Sequence, residues 1–158
     1  MFNPAHAADK KSSDGVVYLE SNIGTPGGNS IIAYQRDDKG RLSALPGSPF
    51  PTRGTGIFDL SLNLGPFDSD QNIIVNPERT LLFAVNSGSN TIAVFNIRAD
   101  GSLVHVAGSP FPSGGINPVS VGLARDTLVV VNKAMDPQQP ANQLPNYTTF
   151  RVFPDGRL

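Results

Sequence analysis

Short apolar runs, rich in β-branched and aromatic residues, alternate along the chain with clusters of glycine, asparagine, aspartate and proline. The clearest are Val16-Val17-Tyr18-Leu19, Ile31-Ile32-Ala33-Tyr34, Leu81-Leu82-Phe83-Ala84-Val85, Ile92-Ala93-Val94-Phe95 and Leu128-Val129-Val130-Val131. Such runs, bounded by turn formers, read as β-strands. No segment sustains an apolar period near 3.6 residues, so no substantial helix is expected. The turns carry their own chemistry. Asp38-Lys39-Gly40, Ala99-Asp100-Gly101 and Pro154-Asp155-Gly156 place glycine where a tight hairpin demands positive φ. Asn76-Pro77-Glu78-Arg79 puts proline at the second position of a type I turn.

One stretch of this pattern occurs twice. Residues 29–54 read NSIIAYQRDDKGRLSALPGSPFPTRG and residues 90–115 read NTIAVFNIRADGSLVHVAGSPFPSGG, in register at an offset of 90 − 29 = 61. A third, diverged copy begins near Tyr147 and reaches Leu158 through FRVFPDGRL. Repeats of this kind mark solenoids, propellers or arrays. The repeating unit has four antiparallel strands, a to d. Its complete copy has a at 73–75, b at 81–86, c at 91–97 and d at 103–108. The following unit has a at 118–124, b at 127–132 and c at 147–153. The preceding unit has b at 16–21, c at 30–36 and d at 42–46.

Four-stranded antiparallel repeats are the blades of a β-propeller. The expected fold is therefore all-β, a partial propeller over 15–158. Blade 1 covers about 15–50, blade 2 about 71–110 and blade 3 about 117–158. Rings hold ~4–8 blades, so about two and a half to three blades read as an incomplete ring. The expectation is a fragment of a longer chain. The expected partners for its outer blades are the remaining blades of that chain, or other copies meeting through exposed blade faces.

Composition narrows function by exclusion. A net charge of −1 gives no electrostatic footprint for nucleic acid. No cysteine is present, which removes disulfides, thiolate nucleophiles and cysteine-based zinc sites. No apolar run approaches the ~18–20 residues of a membrane span. Residues 1–14 have no folding pattern. They read either as a disordered tail or as the end of a signal peptide, since Ala5-His6-Ala7 fits a small-x-small cleavage site. The second reading places the protein in the periplasm or outside the cell; a cytoplasmic location stays open.

Strand alternation sorts the loops. The a–b and c–d turns lie at one end of the blades and are tight. The b–c and d–a connections lie at the other end and take the irregular segments 22–29, 47–72, 86–90, 109–117 and 133–146. Long structureless connections are uncommon and often functional, so the binding face is expected there, near the central axis.

The run Leu82-Phe83-Ala84-Val85-Asn86-Ser87-Gly88-Ser89-Asn90-Thr91-Ile92-Ala93-Val94-Phe95, followed by Asp100-Gly101-Ser102-Leu103, resembles the seven-bladed lactonase-type propellers. That family includes propeller 6-phosphogluconolactonases and carboxymuconate-lactonizing enzymes. The likeness spans most of 15–158, about the first three of seven blades. It implies a hydrolase of sugar-derived or related lactones, with a small-molecule lactone or sugar-like ligand. A ligand- or protein-binding scaffold without catalysis is the alternative, because one fold hosts many functions.

The family's channel histidine, with its arginine and glutamate partners, does not transfer. Ile116-Asn117-Pro118-Val119-Ser120 stands where a His-Pro-type strand start is common. His105 falls on a d strand and reads as a solvated surface residue. Catalytic residues are therefore unassigned, and this segment alone is expected to be inactive.

The ligand-binding candidates on the loop-bearing end are Gln71 and Asn72 (opening one a strand), Asn117 and Ser120 (opening the next), Asn86, Asn132 and Lys133 (closing b strands) and Arg53 (in the d–a loop). The two cations could stabilise charge and the amides could orient a sugar. Asparagine at strand ends also satisfies local backbone groups and tolerates left-handed turns, the commoner role. No cofactor or metal is expected. Asp68-Ser69-Asp70-Gln71-Asn72 starts like an EF-hand loop but has Ile73 and Arg79 where glycine and glutamate belong. Gly24-Thr25-Pro26-Gly27-Gly28 lacks the lysine and helix of a phosphate loop. Asn146-Tyr147-Thr148 fits a glycosylation sequon, and no Gly-x-Ser-x-Gly elbow occurs.

Overall fold

The structure is a computed structural model that describes residues 15–57, 71–134 and 144–158. The N-terminal tail, the acidic start at Asp68 and parts of the two longest connections lie outside the described residues. Three antiparallel sheets follow one another along the chain. Blade 1 holds β1 (Gly15–Glu20), β2 (Ser30–Arg36), β3 (Leu42–Ala44) and β4 (Phe50–Pro51). Blade 2 holds β5 (Ile73–Val75), β6 (Leu81–Asn86), β7 (Thr91–Ile97), β8 (Leu103–His105) and β9 (Phe111–Pro112). Blade 3 holds β10 (Pro118–Ala124), β11 (Thr127–Asn132) and β12 (Asn146–Arg151). This is the all-β blade architecture that the apolar runs and the repeat predict.

The outermost strands differ from expectation. Each d strand ends early, at Ala44 and His105, and the chain then turns and pairs again. Phe50 pairs with Ile31 and Phe111 with Ile92, so the GSPFP blocks are short strands β4 and β9 rather than loop. The gap between the two pairings is filled by a side chain. Ser48 Oγ accepts the Ala33 N–H at 2.9 Å, and Ser109 Oγ accepts the Val94 N–H at 2.8 Å. A backbone donor that would otherwise be buried without a partner is satisfied identically in both repeats. Ser48-Pro49 and Ser109-Pro110 are cis peptides.

The core lies between blades, not within them. Phe83, Val85, Ile92 and Val94 of blade 2 pack on Val121, Leu128 and Val130 of blade 3. The other face of blade 2, with Leu82, Ala84, Ala93 and Phe95, packs against Ile31 of blade 1, supported by Tyr18 and Phe50. Period-2 alternation sends neighbouring residues to opposite faces. A central blade buried on both faces therefore reads as a continuous apolar run, and every residue of β6 is buried.

The hairpin glycines lock blade to blade. Gly40, Gly101 and Gly156 occupy equivalent turns at φ +80, +83 and +83. A Cβ on Gly101 would lie 2.5 Å from Val16 of blade 1, and one on Gly156 would lie 2.7 Å from Val106 of blade 2. Tyr18 Oη donates to the Gly101 carbonyl at 2.7 Å across the same seam. At Gly40 the nearest atom is its own hairpin's Arg36, at 3.8 Å. Alanine at Gly40 should cost only the left-handed strain, about 1–2 kcal/mol. Alanine at Gly101 should cost about 1–3 kcal/mol more, because it also overpacks the seam. Urea midpoints of the two variants check this; equal losses would show that Val16 yields without cost.

Candidate functional site

All long connections emerge at one end of the sheets, where β1, β6 and β11 finish and β2, β7 and β12 begin. The opposite end carries tight turns, including Asn76 to Arg79, where the Arg79 N–H bonds the Asn76 carbonyl at 2.9 Å. The loop-bearing end rests on a buried polar spine. Asn29 Nδ2 donates to Glu20 Oε1 at 2.7 Å and to Asn86 Oδ1 at 2.9 Å. The Thr52 hydroxyl lies 2.6 Å from Asn86 Oδ1 and 2.9 Å from the Asn29 carbonyl. Asn86 Nδ2 donates to Thr91 Oγ1 at 3.1 Å. Asn29, Thr52 and Asn86 are wholly buried. Blade 1 and blade 2 are thus joined by amides that water does not reach.

The same device joins blade 2 to blade 3. Asn132 takes the place of Asn86 and donates to Thr148 Oγ1 at 3.3 Å. Thr148 in turn donates to the Ser113 carbonyl, and Ser113 is the repeat equivalent of Thr52. A glycine faces each asparagine. A Cβ on Gly54 would stand 2.2 Å from Asn86 Cγ, and one on Gly115 would stand 2.5 Å from Asn132 Cγ. These positions admit no side chain.

Glu20 was not among the residues singled out by sequence. The residue is half-buried, but its carboxyl end is sealed. Oε2 has no solvent contact and no hydrogen-bond partner among the described residues. Burial pushes the carboxyl up to about 8, against the opposing pull of the Asn29 amide.

The eight sequence candidates separate by position. Asn86, Asn117 and Asn132 are fully buried and belong to blade seams, not to an open surface. Asn117 sits at φ +55, the left-handed conformation asparagine tolerates, and its N–H donates to Asn90 Oδ1 at 2.7 Å. Gln71 is exposed and folds back on the Ile73 carbonyl, while its own carbonyl accepts the Val121 N–H of blade 3 at 2.8 Å. Asn72 is half-buried and its carbonyl accepts the Val85 N–H at 3.0 Å. Ser120 is half-buried on β10, and Lys133 is half-buried just after β11, its N–H donating to the Asn117 carbonyl at 2.9 Å. Arg53 is exposed at φ +62. Asn117, Asn132 and Lys133 come together at the end of the β10–β11 pair, and Gln71 meets β10 beside Ser120.

His105 corrects an expectation. It is half-buried rather than solvated, and stacks on Phe95 with centroids 4.3 Å apart. Nε2 lies 2.8 Å from the Pro51 carbonyl of blade 1, and Nδ1 lies 3.1 Å from Ser109 Oγ. The Pro51 carbonyl can only accept, so Nε2 carries the proton and Nδ1 accepts from the serine. Burial holds its pKa below the usual value. It is a neutral brace between blades. Among the described residues no three histidine, aspartate or glutamate side chains gather as a metal would require, and no helix is long and apolar enough to cross a membrane.

Sheets of this order and stacking are the blades of a β-propeller. The fold is shared over 94% of the chain with a Bacteroides fragilis protein described as a putative 6-phosphogluconolactonase, at TM-score 0.61 and 13% identity. A Lactobacillus plantarum protein matches 85% of the chain at TM-score 0.57 and 21% identity. The chain spans 35% and 38% of the lengths of these two proteins, respectively. No protein-family model matches the sequence, and no curated protein matches it.

Proposed function

We propose that these blades are part of a lactonase-like propeller that binds, and as a complete ring hydrolyses, sugar-derived or related lactones. The observation that carries this reading is the loop-bearing end. Every long connection emerges there, on polar seams built alike in successive blades, within a fold shared with a putative 6-phosphogluconolactonase. The role assigned to these residues is framework and charge stabilisation. In this reading Arg53 and Lys133 supply the positive charge that meets a developing oxyanion, and the base that activates water comes from other blades.

A second reading, a binding scaffold without catalysis, is favoured by one observation. The three asparagines best suited to orient a sugar are sealed between blades. Titration of acid release separates the two. The longest product of the gene should open gluconolactone and 6-phosphogluconolactone above the buffer rate, and Arg53→Ala with Lys133→Ala should lower kcat at least ~10-fold. Ligand binding without any turnover would establish the scaffold and end the hydrolase reading.

A further inference from the structure

The connections that follow β4 and β9 make the same three-residue turn. In blade 1 the Thr52 N–H donates to the Asn29 carbonyl at 2.9 Å, the Asn29 N–H donates to the Gly54 carbonyl at 3.1 Å, and the Gly54 N–H reaches Thr52 Oγ1 at 3.3 Å. In blade 2 the Ser113 N–H donates to the Asn90 carbonyl at 2.9 Å, and the Gly115 N–H reaches Ser113 Oγ at 3.4 Å. The middle residue is exposed and left-handed in both, at φ +62 and +80. Blade 2 places Gly114 there, and blade 1 places Arg53.

Two things call for glycine at this position, and only one is relieved at Arg53. A Cβ on Gly114 would stand 2.4 Å from Thr148 of the next blade. At the register position of Thr148, blade 2 carries Ala93, which lacks the branch and leaves room for a side chain. The backbone cost stays, because an L side chain is disfavoured at positive φ. Arg79 and Arg125 also have positive φ, but they stand at the opposite end of the sheets, just before β6 and β11, where both blades carry arginine.

The Arg53 charge is also left open. Among the described residues its guanidinium has no hydrogen bond or ion pair. Its electrostatic neighbour is His105, held neutral first by burial and further by the arginine itself. Thr52 ties the turn to the buried seam, its hydroxyl 2.6 Å from Asn86 Oδ1. We infer that Asn29 and Thr52 are positioning residues for Arg53, and that arginine is kept on this turn, against its backbone preference, for the charge it holds at the loop-bearing end. The inference rests on the reading above, in which that charge meets a developing oxyanion.

The test uses the longest product of the gene and reads stability and turnover together. Arg53→Gly should raise the urea midpoint by about 0.5 M, since glycine relieves the turn, while Arg53→Ala keeps the strain and should not. Both should lower kcat for gluconolactone at least ~10-fold with KM little changed, the mark of a contact made in the transition state alone. Added guanidinium ion should restore part of the Arg53→Gly turnover. Thr52→Val should lower kcat in the same way, and Thr52→Ser, which copies the turn of blade 2, should recover most of that loss. A midpoint no higher in Arg53→Gly than in Arg53→Ala overturns the inference whatever the turnover, because the turn then holds arginine without cost. Turnover unchanged in Arg53→Gly, or lowered equally in Thr52→Val and Thr52→Ser, overturns the positioning role alone. A wild type without turnover ends the hydrolase reading itself, and this role with it.

Discussion

Asn86→Leu is expected to cost the fold about 3–5 kcal/mol, nearer to the loss of a large core side chain than to that of a surface polar residue. Leucine keeps the branched heavy-atom shape of asparagine and is bulkier, so a cavity is not the issue. The loss comes from its neighbours. The Thr52 hydroxyl at 2.6 Å and the Asn29 amide at 2.9 Å both lose the Oδ1 acceptor, and Thr91 Oγ1 loses its donor. All of this occurs where Asn29, Thr52 and Asn86 have no contact with water, so solvent cannot replace the lost bonds. Gly54 also leaves no room for the branched end, since the asparagine already lies against its α-carbon. Gly54→Ala should therefore reproduce much of the loss from the other side of the contact. In a double variant the two losses should fall well short of adding, because both disrupt one network. Urea unfolding of the four proteins measures this. A loss below about 1 kcal/mol for Asn86→Leu would show that the amide fills space without holding the blades.

The strands were legible because their signal is local. Each run of β-branched and aromatic residues became a strand within a residue or two, and the glycine turns took the positive φ that hairpins require. The all-β propeller was legible because the repeat multiplies that signal. β4 and β9 were not, since two residues before a proline-rich turn carry no periodicity; only the serine hydroxyl inside the sheet explains them. Asn86, Asn117 and Asn132 stand on the loop-bearing end and are buried between blades, and burial is a property of the neighbouring blade that no local pattern carries. Asn29 was missed and His105 misread for the same reason: each acts across a seam to a residue distant in sequence, and Glu20 joins that network only through Asn29. One signal was available. Thr52 with Gly54 and Ser113 with Gly115 recur at equivalent repeat positions, where a shared structural contact is the simplest cause.

Glu20 makes stability fall as pH rises through neutrality. Its folded-state carboxyl is raised to about 8 from an ordinary 4.5, so between those values the native state holds a proton that the unfolded chain has released. Native binding of more protons means that stability declines with pH, by about 1.4 kcal/mol per unit for one group. Across the window the loss is on the order of 3–5 kcal/mol, complete once pH passes the folded value. The turn carboxylates act oppositely. Asp37 is lowered first by the Arg41 side chain, Asp100 by the Ser102 hydroxyl and Asp155 by the Arg157 backbone N–H, so their contribution is lost as pH falls through their folded values. The stability optimum should therefore lie at about pH 4, between the ordinary aspartate value of 3.8 and the 4.5 from which the Glu20 contribution starts to fall. Glu20→Gln should flatten the alkaline limb and leave the acid limb unchanged. Because Glu20 reaches Asn86 only through Asn29, the ionised carboxyl strains the seam between blades 1 and 2 specifically. Amide exchange in β2 should accelerate at pH 8 before exchange in β7 does, once the intrinsic pH dependence is divided out. A wild-type chain as flat as Glu20→Gln between pH 5 and 8 would show that the carboxyl finds water in solution, and that blade 1 stands off from blade 2.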